Sequence, residues 1–442
     1  MSARMWILFV PLAIALGDMP LIENMNLIMR PMLGLAILVG FFASRGHIQP
    51  GERTWGALLL FYMAALGLSC VNSVAPDAIA VSLGRQAFLM AVSLALVILF
   101  RDPETRLIGL KGLLLVVLSS IGLTFWVYLM LVPEYGLSYE GTRLIKGAAL
   151  TDYGVGLNIL SYLLPLALFG VRAAYRPGFL LDVLLFGAAL LAILMMGSRA
   201  TLLALALSWL IFAILRRMWR VSPLLFFVST LIVASLAALS WMIVAGYAVE
   251  IREIFGSDVL RDISVGRTDM WEGGLLMWTK SPLFGWGPES WRVLLLEFLP
   301  TVSERSLQII SNLESGSFHN GFVTILAERG AVGFVSAVAM QIYMFYCAGS
   351  VYRHRELLPD HDRRFAGVLP VLVLFMFFRS LAESSGLFGN ANSEVDYLTY
   401  FICSYLVALH AECMWRSREE MEASFASDGG GIDEASSANQ LS

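Results

Sequence analysis

The sequence predicts an all-α polytopic membrane protein of about twelve transmembrane helices, and three observations carry that prediction. Hydrophobic residues make up 58% of the 442-residue chain. Charged residues make up only 14%, against about a quarter in a soluble domain. The apolar residues gather in runs long enough to cross a bilayer, and mean hydropathy is +0.74. Soluble globular, disordered and fibrous classes are therefore excluded. A net charge of −4, scattered through connections rather than gathered on a basic face, gives no sign of a nucleic-acid partner.

Apolar runs at 4–17, 27–44, 55–72, 83–100, 107–132, 150–171, 179–197, 200–215, 223–246, 318–350, 366–382 and 397–415 are the candidate spans. The first is followed by Gly17-Asp18-Met19-Pro20, without a small-residue cleavage pattern, so it reads as a retained helix. The stretch 179–215 is too long for one span and divides at Gly197-Ser198-Arg199. Between the ninth and tenth spans lies a polar segment, 247–317, too long for a mere connector. The domain plan is thus spans one to nine over 1–246, the large loop with surface helices over 247–317, and spans ten to twelve over 318–416. A tail over 417–442, rich in Ser, Gly, Ala, Asp and Glu, is expected to be disordered.

Lysine and arginine orient this plan. With both termini cytoplasmic, the cytoplasmic connections take Arg101, Arg106 and Lys111, then Arg216, Arg217 and Arg220, then Arg353, Arg355, Arg363 and Arg364. The short outer connections take few. The four cysteines, Cys70, Cys347, Cys403 and Cys413, lie in or beside apolar runs, which suggests neither a disulfide framework nor a metal site.

Three features could carry chemistry on the outer face. Arg85, Arg199 and Arg379 stand at or near outer span ends, where the positive-inside bias disfavours them. Each alone could be a snorkelling side chain. Several together suit a diphosphate, whose oxygens guanidinium groups grip in pairs. In the long loop, Val265-Gly266-Arg267-Thr268-Asp269-Met270-Trp271 opens an expected helix with Trp271, Leu275 and Trp278 on one face. Such a helix would lie along the membrane surface; the alternative is a loop packed on the helix bundle. It ends at Ser281-Pro282-Leu283-Phe284-Gly285-Trp286-Gly287-Pro288, a Gly/Pro turn signal. Finally, His319 in Ser317-Phe318-His319-Asn320-Gly321 is the one histidine that this topology puts outside, and imidazole suits proton transfer near neutral pH. A structural role for it carries comparable weight. Glu328 and Arg329 follow within the tenth span, as charges that either pair with each other or support a site. No Asp-x-Asp, no His or Cys pair and no phosphate loop accompanies them, so neither a metal nor a cofactor is expected.

Together these motifs resemble the O-antigen ligase and polymerase superfamily of bacterial membrane proteins. Gly197-Ser198-Arg199-Ala200, Gly266-Arg267 with Trp271, Pro282 to Gly287, His319-Asn320 and Glu328-Arg329-Gly330 carry the resemblance, over about 197–335; the rest agrees in topology. The resemblance implies a metal-independent glycosyltransferase in the bacterial inner membrane, with its active site facing the periplasm. The donor would be a glycan on undecaprenyl pyrophosphate. The acceptor would be lipid A-core in a ligase or a lipid-linked repeat in an O-antigen or exopolysaccharide polymerase; a related branch glycosylates protein. Ligation is slightly preferred.

On this resemblance Arg199 and Arg267 would hold the pyrophosphate, and His319 would act as general base in an inverting attack. Arg85, Arg143, Arg379, Asn320 and Trp271 are further candidates for substrate binding. Arg143 lies in Gly141-Thr142-Arg143-Leu144-Ile145-Lys146-Gly147, a pair of cations that departs from the family pattern. A transporter or flippase is the competing class. It would place polar residues near the midplane of several spans, and these runs hold few.

Overall fold

The computed structural model describes residues 50–135, 184–185, 187–189, 191, 199–218, 267–298, 318, 320–382 and 393–438. Helix α1 is Pro50–Ser69, α2 is Pro76–Leu99 and α3 is Pro103–Tyr135. All three begin with proline followed within two residues by an acid, Glu52, Asp77 or Glu104. Proline has no N–H to leave unpaired at that position, and the acid meets the positive end of the helix dipole. Next come α4, Arg199–Met218; α5, Arg267–Lys280; and α6, Trp291–Phe298. Helix α7 is Gly321–Arg353, α8 Asp360–Ala366, α9 Leu369–Ala382 and α10 Ser393–Ala438.

Six stretches among the described residues are long and apolar enough to cross a membrane: Gly51–Asn72, Pro76–Leu99, Pro103–Glu134, Gly321–Arg353, Asp360–Leu381 and Leu398–Ser424. They fall on the runs expected at 55–72, 83–100, 107–132, 318–350, 366–382 and 397–415. The run at 200–215 is a helix whose apolar stretch, Leu203–Phe212, is shorter. The runs at 4–17, 27–44, 150–171 and 223–246, most of 179–197 and the loop over 247–266 lie outside the described residues. The tail departs from expectation. Helix α10 continues through Ala438, so residues 417–438 are helical rather than disordered. Arg416, Arg418, Glu419, Glu420, Met421 and Glu422 are good helix formers and carry the last span onward. Arg416 bonds back to Glu412 at 2.6 Å, one turn earlier.

Helix α7 packs against α1, α9 and α10, while α2 packs against α1 and α10 and α4 against α9. The shared core includes Leu59, Leu96, Phe100, Leu372, Phe401 and Leu406, all buried. Polar pairs tie these spans at depth, as interhelical hydrogen bonds do in membrane bundles. The Trp55 indole donates to Ser93 Oγ at 3.0 Å, and Ser93 meets Ser404 at 2.8 Å. Gln86 donates to the Tyr400 hydroxyl.

One end of the bundle is closed by ions. Arg106, fully buried, donates to Asp362 at 2.7 Å, to Glu412, and to the Phe100 carbonyl at 2.6 Å. Tyr405 adds a hydrogen bond to Asp362 at 2.9 Å. Beside it, Arg101 pairs with buried Glu52 at 2.7 Å. These bonds join α1, α3, α8 and α10 at their near ends.

Candidate functional site

The opposite end is organised by the start of α7. Asn320 is its N-cap: Oδ1 accepts from the backbone N–H of Phe322 at 3.0 Å and of Val323 at 3.1 Å. Its Nδ2 donates to the Leu381 carbonyl at 2.9 Å, tying α7 to the end of α9. Just upstream, the Trp271 indole donates to the Phe318 carbonyl at 2.7 Å. The residues on both sides of position 319 are thus anchored, to α5 and to α9. Asn320 and Trp271, both expected to touch substrate, also tie the chain together beside position 319.

Helix α5 packs most deeply by a face other than its tryptophan one, although Trp271 itself lies partly buried against the neighbouring core. The face turned inward is Met270, Gly273, Gly274 and Met277, while Leu275 is 42% exposed. A Cβ on Gly274 would lie 2.5 Å from Val323 Cγ1 and 2.9 Å from the Phe318 ring, so the missing side chain is what lets α5 reach α7. Met270, Met277, Trp291, Leu294, Leu295, Phe318, Val323 and Ala327 form a second apolar core, distinct from that of the spans. The alternative reading, a loop packed on the bundle, describes these residues. Sequence periodicity misses this face because glycine weighs nothing on a hydropathy pattern.

The segment after α5 folds against a break in α7. Gly330 has φ 63 and ψ −163, which interrupts the helix and frees backbone groups on both sides. Residues 282–287 satisfy them. Trp286 N–H donates to the Ala327 carbonyl at 3.1 Å and Gly287 N–H to the Glu328 carbonyl at 2.9 Å. In return Ala331 N–H donates to the Pro282 carbonyl at 2.8 Å and Val332 N–H to the Leu283 carbonyl at 3.2 Å. Broken helices persist at membrane depth only where other protein groups take up the freed bonds. A Cβ on Gly285 would lie 2.3 Å from the Glu328 backbone, and one on Gly330 2.4 Å from that of Leu283. The two glycine-bearing motifs are two halves of one joint. Trp286 also accepts from Val74 N–H at 3.2 Å, which brings in the turn between α1 and α2.

Charge collects at this joint. Glu328 is fully buried and accepts from the Glu289 N–H at 2.9 Å. Glu289 holds φ 58, the positive value that L-residues avoid. The second carboxylate oxygen of Glu328 is buried and has no hydrogen-bond partner among the described residues. Arg329 and Arg85 attract that carboxylate, and Glu289 repels it. The Arg329 guanidinium stacks on the Tyr62 ring of α1, 4.7 Å from its centre. Tyr62 and Glu289 carry no signal in the sequence, where Arg329 stands out only as a charge without a role.

The remaining candidates divide. Arg85, half-buried on α2, joins the Glu328 cluster. Arg379 is buried two residues before Leu381, where α9 meets Asn320. Arg199 and Arg267 stand at the first described positions of α4 and α5, with their side chains outside the described residues. His319 and Arg143 lie outside them altogether.

Residues 184–338, which take in α4, α5, the joint and the first half of α7, match the family described as O-antigen ligase. Over that segment, about a third of its length, the chain is similar to the O-antigen ligase family. It is also similar to an uncharacterized protein of Haemophilus influenzae, at 26% identity over 148 residues. That match covers 32% of this chain and 34% of the relative, so the chain spans about a third of that protein's length.

Proposed function

We propose that this protein transfers a glycan from undecaprenyl pyrophosphate to an acceptor, with O-antigen ligation to lipid A-core as the first reading. The observation that carries it is the family match over 184–338, which takes in every motif of the joint. An already activated donor supplies the driving force. Arg199 and Arg267 hold the pyrophosphate and stabilise the charge that grows on it as it leaves. His319 takes the proton of the attacking hydroxyl. That hydroxyl attacks the anomeric carbon opposite the pyrophosphate, so configuration inverts. The buried charges around Glu328 support the reading, because buried ionisable groups with mixed partners gather at functional sites.

On this reading transfer takes place on the periplasmic face of the inner membrane, with both termini cytoplasmic. The Arg106 end is then the cytoplasmic one. The plan of twelve spans, with 247–317 as a periplasmic loop, belongs to the same proposal.

A product gel tests it. Purified protein in lipid receives undecaprenyl-pyrophosphate-linked glycan with and without lipid A-core. A band that requires lipid A-core supports the ligase. A ladder from the donor alone replaces it with a polymerase working at the same residues. If neither forms and a protein acceptor becomes glycosylated, the acceptor assignment is wrong and the donor assignment stands. Movement of labelled donor across liposomes without any transfer overturns the enzyme reading.

A further inference from the structure

We infer that the break in α7 marks the boundary of the bilayer, and that Leu283 and Phe284 rest on lipid there. Helix α7 is 33 residues long, more than a membrane crossing needs. Its charges are Glu328 and Arg329 on one side of the break and Arg353 at the far end. The stretch 331–352 between them carries no Asp, Glu, Lys or Arg. At 1.5 Å per residue that stretch is about 33 Å long, close to the hydrocarbon thickness of about 30 Å. The uncharged part alone therefore spans the membrane. Residues 321–329 stand above it, packed with α5 and α6 around the second core.

The joint fixes what lies at that level. The Leu283 carbonyl accepts from Val332 N–H, and the Pro282 carbonyl from Ala331 N–H, so the turn sits where the uncharged stretch begins. At this turn Leu283 is 59% exposed and Phe284 36%, although neighbouring Gly285 and Gly287 are buried. Two large apolar side chains displayed together cost little where they meet acyl chains and headgroups. One turn further along α7, Val335 is 55% exposed on the face expected to meet lipid. Tryptophan, which favours the membrane–water interface, follows the same pattern. Trp278, partly exposed, stands at this turn and donates its indole N–H to the Pro282 carbonyl at 3.0 Å. A consequence is that Glu328 and Arg329 lie at headgroup depth, the level of a lipid-linked diphosphate.

Spin labels measure the depth directly. Labels are placed at Leu283→Cys and Phe284→Cys in the full chain in lipid, with Cys70→Ser as background, since the other three cysteines are buried. Exposed Lys280→Cys reports water and Val335→Cys reports lipid. The expected result is a ratio of oxygen to nickel-chelate accessibility at 283 and 284 shifted well away from Lys280 toward Val335, without exceeding it. A ratio equal to that at Lys280 overturns the inference, because the turn then stands in water. A ratio above that at Val335 overturns it too, because the break then lies inside the hydrocarbon. This placement is independent of the glycan-transfer reading, which stands or falls on the product gel.

Discussion

The two ends of the bundle both bury charge, and they handle it differently. At the Arg106 end, a buried guanidinium is enclosed by Asp362, Glu412 and the Phe100 carbonyl, with Tyr405 completing the Asp362 shell. At the joint, Glu328 is equally buried, yet one of its oxygens has no partner among the described residues, and it sits among Arg85, Arg329 and Glu289. A closed network holds helices in place and has no capacity for anything else. A buried group left with an unpaired oxygen among the described residues is one that a further partner can still reach. The contrast supports the proposal that the Arg106 end is structural and the joint functional.

The sharpest way to break this contrast is Arg106→Ala. It leaves Asp362 buried without its cation, and removing one partner of a buried pair costs about 3–5 kcal/mol. Thermal unfolding in detergent should show a large drop in Tm; an unchanged Tm would mean that the network adds nothing. Next is Gly330→Ala. A side chain there meets the Leu283 backbone at 2.4 Å and must adopt positive φ, for an expected loss of about 3 kcal/mol. If α7 simply straightened, stability would hold, and the joint would not be the constraint described above. Asn320→Ala removes both the cap and the tie to Leu381, for about 2 kcal/mol; Asn320→Asp should recover the cap share alone. Smallest in stability is Glu328→Gln, which keeps an acceptor for Glu289 and removes the charge. Tm should move by less than that of Asn320→Ala, while transfer falls about tenfold or more. Loss of stability without loss of transfer would make Glu328 a structural group like Asp362.

Much of this is legible in the sequence, for reasons that differ by element. Apolar runs locate six spans because burial in lipid imposes a composition on every residue of a crossing helix. The motifs at 282–287 and 328–330 are visible as glycine-bearing clusters. Their pairing is not, because backbone hydrogen bonds between segments more than forty residues apart leave no mark on side-chain pattern. Helix α5 misleads because its three apolar residues outweigh two glycines in any hydropathy count, although Gly274 is what allows contact with α7. The Ser and Gly content of the tail points to disorder only when the helix formers that follow Arg416 are overlooked. Asn320 and Trp271 stand in the neighbourhood the motifs indicate, and their hydrogen bonds across the fold are what the sequence does not show. They anchor the chain on either side of position 319.

The most direct test of the proposed mechanism is transfer by His319→Ala, set beside the unaltered protein in the same product gel. The expected variant unfolds at the unaltered Tm and forms no glycan product, a loss of at least about a hundredfold. Product at the unaltered rate would contradict that expectation and would remove the general base from the mechanism.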